Sequence, residues 1–278
     1  MRIRERYVLT VSELFYTKGR KYILTEKGKE LLISEYENHK SMNQIAQMFG
    51  VYKGTVGVWM DELGIERRTR KWPLNEHYFD VIDEPEKAYW LGFLAADGYV
   101  HDERGELNLQ LQERDKGHLE KLKKALQCEI PLMTIHCSHA GKPLTHYRFS
   151  IKCRKMVDAL KQWNIVQNKS FILTPPTGID EDLMRYWIIG YLDGDGCIEN
   201  AKKRIRISFT GTMTVLQYIK DYFHSTNTIR LEHRCANTYH FALEVAKSEE
   251  FLIEMDYDKL PFVLERKAQR FASFRYKA

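Results

Sequence analysis

The chain carries one segment twice. Residues 88–100 read AYWLGFLAADGYV and residues 186–198 read YWIIGYLDGDGCI, at an offset of 98. Gly92 falls on Gly190, Leu94 on Leu192, Asp97 on Asp195 and Gly98 on Gly196. The same offset carries the alternating residues Leu107, Leu109 and Leu111 onto Ile205, Ile207 and Phe209. Apolar residues at every second position mark strands with one buried face. Helical spacing follows in both halves, at Leu119, Leu122 and Leu126 and at Leu216, Ile219 and Phe223. A further strand pattern follows, at Tyr147, Phe149 and Ile151 and at Phe241, Leu243 and Val245. Lys169 falls on Lys267, again at an offset of 98. A repeat this long constrains a fold strongly, because each copy must bury the same face in the same way. Each half is predicted as helix, two strands, helix, two strands, helix. The expected class is α+β, with two αββαββα copies paired about a pseudo-twofold axis.

The repeated helix has little side-chain bulk at Gly92, Ala95 and Ala96, and at Gly190 and Gly194. Small residues let two helix backbones approach closely. The Asp-Gly ending is a stop signal, with glycine expected in the left-handed cap. Asp97 and Asp195 are then expected side by side at two helix C-termini. The helix dipole disfavours a carboxylate there, and two carboxylates repel each other. A hard divalent cation relieves both costs, and Mg²⁺ accepts one or two carboxylates with water and phosphate oxygens in its other positions.

Residues 90–98 (WLGFLAADG) and 188–196 (IIGYLDGDG) resemble the two motifs of the LAGLIDADG homing endonucleases, and the resemblance spans about residues 87–270. It implies a monomeric enzyme whose two sheets form a saddle over double-stranded DNA. It implies Mg²⁺-dependent cleavage of both strands of a long asymmetric site, with no small-molecule cofactor. Asp97 and Asp195 are the implied metal-binding acids. Lys169 and Lys267 are the implied basic residues, which stabilise transition-state charge or polarise the attacking water. Ala95 departs from the motif at its sixth position, which Asp193 fills in the second copy. Arg148, Lys152, Lys202, Arg204, Arg206, Arg230 and Arg234 are candidates for the DNA-facing surface. An RNA-splicing maturase and a DNA-binding regulator share the resemblance and stay open as alternatives.

Charge separates the first quarter from the rest. Residues 1–75 hold 14 Lys/Arg against 9 Asp/Glu, which is the whole net charge of +5. A basic terminal segment suggests a polyanionic partner. Met42, Ile45, Ala46 and Phe49 have helical spacing, Gly50 interrupts it, and Val56, Trp59, Met60 and Leu63 resume it before Gly64. Two short helices around a tight turn predict a helix-turn-helix. Tyr52, Lys53 and Thr55 at the start of the second helix are candidates for the major groove. Arg67, Arg68, Arg70 and Lys71 form a basic arm suited to phosphates. Before this pair the sequence predicts a small hairpin and a supporting helix from about Glu26. The expected organisation is a helix-turn-helix domain over 1–75, a linker over 76–86, and repeats over 87–180 and 181–278.

Apolar residues at 44% and charged residues at 29% argue against a disordered or fibrous chain. No apolar run reaches the roughly 18 residues of a membrane span, and no signal peptide is evident. A cytoplasmic protein without a membrane partner is expected. The five cysteines include no CxxC pair, so neither a disulfide framework nor a structural zinc site is expected.

Overall fold

The computed structural model describes residues 11–38, 40–67, 72–139, 142–201, 204–232 and 237–275. The chain divides into two units, residues 1–73 and 74–278. The first unit opens with a one-turn helix α1 (Val11–Leu14) and a hairpin of β1 (Phe15–Lys18) and β2 (Lys21–Leu24). Helices α2 (Glu26–Glu37), α3 (Met42–Phe49) and α4 (Lys53–Glu62) follow. Thr25 caps α2 through its side chain, and Ser41 and Gln44 close a capping box on α3. Gly50 ends α3 at φ +65°, a conformation that glycine adopts without a Cβ penalty. Leu32, Ile45, Phe49, Val56, Trp59 and Met60 form the unit's own core. The Trp59 indole N–H donates to Tyr22 O over 2.8 Å and ties α4 to the hairpin.

The second unit holds both repeats around one continuous core. The first repeat comprises α5 (Pro85–Asp97), β3 (Tyr99–His101), β4 (Glu106–Gln112), α6 (Lys116–Ala125), β5 (Met133–His139), β6 (Lys142–Lys152) and α7 (Arg154–Gln162). The second comprises α8 (Glu181–Asp195), β7 (Gly196–Ala201), β8 (Arg204–Gly211), α9 (Met213–Tyr222), β9 (Arg230–Leu231), β10 (Tyr239–Ala242) and α10 (Val245–Glu254), followed by α11 (Glu265–Arg275). The two antiparallel sheets have the same topology, β3-β4-β6-β5 and β7-β8-β10-β9. The fold is α+β with tandem αββαββα repeats.

The strand correspondence differs from the constant offset of 98. Val100 pairs with Leu107, whereas its counterpart Ile198 pairs with Ile207 rather than Ile205. Leu109 faces Phe149, and Phe209 faces Phe241. Ile151 therefore corresponds to Leu243, and Val245, expected in a strand, begins α10. The second repeat has two extra residues in its first hairpin. An even slip leaves every side chain on its original face, so alternation alone does not register it.

Residues 76–86 do not form a free linker. Tyr78, Phe79 and Ile82 are buried in the core of the second unit. The Trp163 indole donates to Phe79 O over 2.7 Å and fastens the segment to the end of α7. No helix among the described residues is long and apolar enough to cross a membrane.

Candidate active site

The site begins with the contact between α5 and α8. A Cβ on Gly92 would lie 2.0 Å from Trp187 O, and one on Gly190 would lie 2.0 Å from Tyr89 O. Trp187 and Tyr89 are themselves counterparts at offset 98, so the crossing obeys the pseudo-twofold symmetry. No side chain fits there, and only glycine lets the backbones meet. Further along, a Cβ on Gly194 would lie 2.3 Å from Ala96 Cβ and 3.5 Å from Asp97 Oδ2. The carboxylate ending α5 therefore lies against the last turn of α8, one residue before Asp195.

Gly98 and Gly196 end these helices, but not in the left-handed cap that the sequence suggested. Their φ values are −70° and −109°. The chain instead folds sharply into β3 and β7. A Cβ would lie 2.6 Å from Leu94 O in one copy and 2.6 Å from Leu192 O in the other. Lack of room, not backbone sign, requires glycine at these turns.

Asp97 and Asp195 are both exposed to solvent. Protein nonetheless surrounds them closely enough for desolvation to raise both proton affinities. Asp97 also lines a hollow of about 340 Å³ on the first repeat's sheet. Burial comes first in pushing Asp195 up to about 6, and the charge of Asp97 adds to it. Lys169 and Lys267 pull both acids in the opposite direction.

The two lysines lie beneath the helix ends, with relative exposures of 7% and 3%. Lys169 Nζ donates to Ala96 O over 3.0 Å and to Gly98 O over 2.6 Å. Lys267 Nζ donates to Leu192 O (2.6 Å), Asp193 O (2.9 Å) and Gly196 O (2.7 Å). An ammonium at a helix C-terminus satisfies orphan carbonyls and offsets the dipole. Burial lowers the proton affinity of each lysine, against the opposing pull of neighbouring carboxylates. The three N–H donors of Lys267 are thereby used up, so this side chain does not polarise a water in this arrangement. Lys169 keeps one donor.

Behind α8, Asp193, which fills the motif's sixth position, is the centre of a network that the sequence did not single out. Asp193 is almost fully buried, and its carboxylate accepts from Tyr89 OH (2.7 Å), Tyr257 OH (2.5 Å) and Leu264 N (2.8 Å). His118 Nε2 lies 3.0 Å from Tyr89 OH and extends the network. Burial holds the His118 imidazole near a pKa of about 3, hence neutral. Tyr89 belongs to the repeated segment, but it reads there as one more aromatic core residue. Asp115 and Arg266 form another pair across the repeats, with Arg266 Nε 3.1 and 3.0 Å from the two carboxylate oxygens.

The candidate DNA-facing residues are dispersed. Arg148 is held by Gln110 Oε1 at 3.1 and 2.7 Å, and both line a hollow of about 340 Å³ that includes Asp97, Asn108 and His101. Lys152 ends β6, opposite Glu106. Arg206 pairs with Glu199 at 2.7 Å, across the first hairpin of the second repeat. Arg204 is held by both carboxylate oxygens of Glu249, which also accepts from Ile205 N. Arg230 is exposed in β9. In the first unit Tyr52 and Lys53 are exposed and Thr55 is half-buried. Arg67 does not extend as an arm: it folds back onto α4, bonding Asp61 and Gly57 O. Arg68, Arg70, Lys71, Lys202 and Arg234 lie outside the described residues.

The described residues contain no group of three or more His, Cys, Asp and Glu side chains that could hold a metal. Among the described residues, Asp97 and Asp195 offer carboxylate oxygens to a cation at the abutting helix ends. Their mutual repulsion and partial desolvation are relieved by a divalent ion, and Mg²⁺ needs no more than one or two protein carboxylates. The donor set fits.

No protein-family model and no curated protein matches the chain. Among solved structures, the fold is similar to that of the homing endonuclease I-WcaI bound to its DNA recognition sequence. Identity is 12% and the TM-score 0.49, over 75% of this chain and 96% of that one. The I-LtrWI LAGLIDADG homing endonuclease bound to target DNA matches at 12% identity and a TM-score of 0.43, over 73% and 90% of the two chains. Full-length DUF199/WhiA from Thermatoga maritima matches at 15% identity and a TM-score of 0.42, over 73% of this chain and 64% of that one.

Proposed function

We propose that the chain is a monomeric, Mg²⁺-dependent DNA endonuclease that cuts both strands of one long, asymmetric duplex site. The observation that carries this reading is the pairing of Asp97 with Asp195, one carboxylate from each repeat, at abutting helix ends. A divalent ion held by these two carboxylates supplies Lewis-acid charge at the scissile phosphates and a water nucleophile. The chain's own contribution is rigidity. The Gly92–Gly190 crossing fixes the distance between the acids, and the two lysines hold the helix ends that orient them. The remaining donor of Lys169 is available to a phosphate oxygen or a water, a preorganised contact that needs no rearrangement.

The half-buried Arg148 and the exposed Lys152, Arg206 and Arg230 are assigned to phosphates and base edges. Arg204 contributes less, because Glu249 occupies its guanidinium. Lys202 and Arg234 keep the same assignment from sequence. Tyr52, Lys53 and Thr55 at the start of α4 extend the contact along the duplex, with Arg68, Arg70 and Lys71 after it.

The test is incubation with Mg²⁺ and duplex DNA flanking the chain's own gene, alongside a library of randomised duplexes. Wild-type protein is expected to cut both strands, and Asp97→Asn and Asp195→Asn to lose roughly a thousandfold or more in rate. Unchanged cutting by both variants removes these acids from the reaction. Mg²⁺ is expected to raise the Tm of wild type and not that of the double variant. Tight binding with no cutting by wild type supports a binding-only regulator, the reading favoured by the saturated ammonium of Lys267.

A further inference from the structure

The hairpin ahead of the helix pair carries charge that the first unit leaves unpaired. Residues 15–24 (FYTKGRKYIL) hold three cations and no acid. β1 and β2 are joined by the two-residue loop Gly19-Arg20, with Gly19 at φ +65°, the glycine-first pattern of a tight hairpin. The register sets Lys18 directly opposite Lys21, with Arg20 between them at the tip. All three side chains are exposed. Among the described residues none of the three has an ion pair or a side-chain hydrogen bond. Like charges directly opposite each other destabilise a strand pair, and a two-stranded hairpin has little stability to spare. The fold itself gains nothing from this arrangement.

The other face of the hairpin fixes where the tip lies. Phe15 and Leu24 form a cross-strand pair and are buried. The ring centroids of Phe15 and Trp59 are 5.6 Å apart, and the Trp59 indole donates to Tyr22 O over 2.8 Å. Tyr22 directly follows Lys21, so the basic tip begins one residue from the bond to α4. Trp59 lies one helical turn beyond Thr55, on the same side of α4, and Thr55 is among the residues assigned to the major groove. A helix about 10–12 Å across fills a groove about 12 Å wide. An element on the flank of such a helix meets the phosphates that bound the groove.

Resting on the reading of α4 as the groove-binding helix of the proposed endonuclease, we infer that the β1–β2 hairpin is a second DNA contact of the first unit, in which Lys18, Arg20 and Lys21 bind backbone phosphates beside the groove that α4 occupies. The phosphates supply the counter-charge that the protein withholds, and binding relieves the repulsion between Lys18 and Lys21. Contacts of this kind add affinity and fix orientation without choosing a base.

The test is binding of the full chain to a dye-labelled duplex of random sequence, without Mg²⁺, over a range of salt concentrations. Lys18→Gln/Arg20→Gln/Lys21→Gln is expected to bind about tenfold or more weakly at low salt, and to lower the slope of log Kd against log salt by about 2. Its Tm is expected to be at or above that of wild type, because the lost charges are exposed and oppose each other. Lys18→Arg/Arg20→Lys/Lys21→Arg keeps every charge and is expected to keep the wild-type slope. Lys124→Gln/Lys155→Gln/Lys259→Gln removes the same charge from exposed positions of the second unit, and is expected to change the slope by less than about 0.5. An unchanged slope in the hairpin variant, or an equal change in the second-unit variant, overturns the inference while the endonuclease reading stands on its acids. A wild-type chain that binds no duplex overturns both.

Discussion

The two repeats agree where backbones meet and differ where side chains secure them. In each copy a glycine seats one helix on the other, an Asp-Gly step ends the helix, and a buried lysine closes the end. Behind these shared features the copies part. In the second repeat Asp193 accepts three hydrogen bonds, from α5, from the turn at Tyr257 and from Leu264 at the start of α11. The first repeat has Ala95 at that position. The helix carrying Lys267 is thus tied to α8 by a buried carboxylate, whereas Lys169 sits in a single 3₁₀ turn, Lys169–Phe171. Close packing requires the same residues on both sides of a twofold axis. The attachment of each lysine has no such requirement and has diverged.

The largest expected effects test the shared part. Gly92→Val and Gly190→Val drive branched carbons into a carbonyl that already excludes a Cβ, so each is expected to cost about 4 kcal/mol or more, or to prevent folding. Urea unfolding of both variants checks this, and a mild effect at one site alone would break the symmetry of the crossing. The next test addresses the difference. Asp193→Ala leaves the buried Tyr257 hydroxyl and a backbone N–H without an acceptor and the Tyr89 hydroxyl with only His118 Nε2 beside it, at an expected cost of about 3–5 kcal/mol. Ala95→Asp places a charge where the second repeat's donors are absent, and is also expected to destabilise. If Ala95→Asp were neutral by urea unfolding, the two positions would be interchangeable and the asymmetry superficial.

How far this was legible in the sequence follows from the kind of contact. The glycines and the two acids stand out because a tight crossing leaves no latitude, so the repeat preserves them at one offset. Asp97, Asp195, Lys169 and Lys267, separated by up to 170 positions in the chain, lie around one pair of helix ends. The two-residue slip between the sheets was not visible, because a period of two conceals an even shift. The conformation of Gly98 and Gly196 was misread because a steric requirement and a positive φ select the same residue. Residues 76–86 have a charged, proline-containing composition that reads as a linker, and only Tyr78, Phe79 and Ile82 betray the packing. The bond between Asp115 and Arg266 spans 151 positions, with no periodicity to announce it.

The lysines sharpen the comparison at smaller scale. Lys267→Met strands three helix-end carbonyls and Lys169→Met strands two. The expected costs are about 3 and 2 kcal/mol, each partly offset by removing a buried charge. The order of the two, measured by urea unfolding, is the informative result. A larger loss at Lys169 would mean that the 3₁₀ turn, not the carbonyl bonds, limits the first repeat.

The smallest expected effect lies in the pH dependence of stability, and its sign separates the acids from His118. Asp195 has its folded pKa raised from 3.8 to about 6, so between those values the folded chain binds more protons than the unfolded one. Stability from this group is therefore greatest below pH 3.8, declines as pH rises through about 6, and is level above it. His118 acts in the opposite sense. Its folded pKa is lowered from 6.5 to about 3, so its contribution is complete above pH 6.5 and is lost as pH falls toward 3. The two trends overlap and partly cancel, which is why variants are needed to see either. Asp195→Asn removes the first trend and is expected to stabilise the metal-free protein at pH 7.5 relative to pH 4.5, by about 1 kcal/mol after allowing for solvent screening of an exposed carboxylate. His118→Phe removes the second, and should flatten the acid side of the profile in wild type and in Asp195→Asn alike. A profile unchanged by Asp195→Asn would mean that the two acids do not share a desolvated site, even though the helices that carry them cross at Gly92 and Gly190.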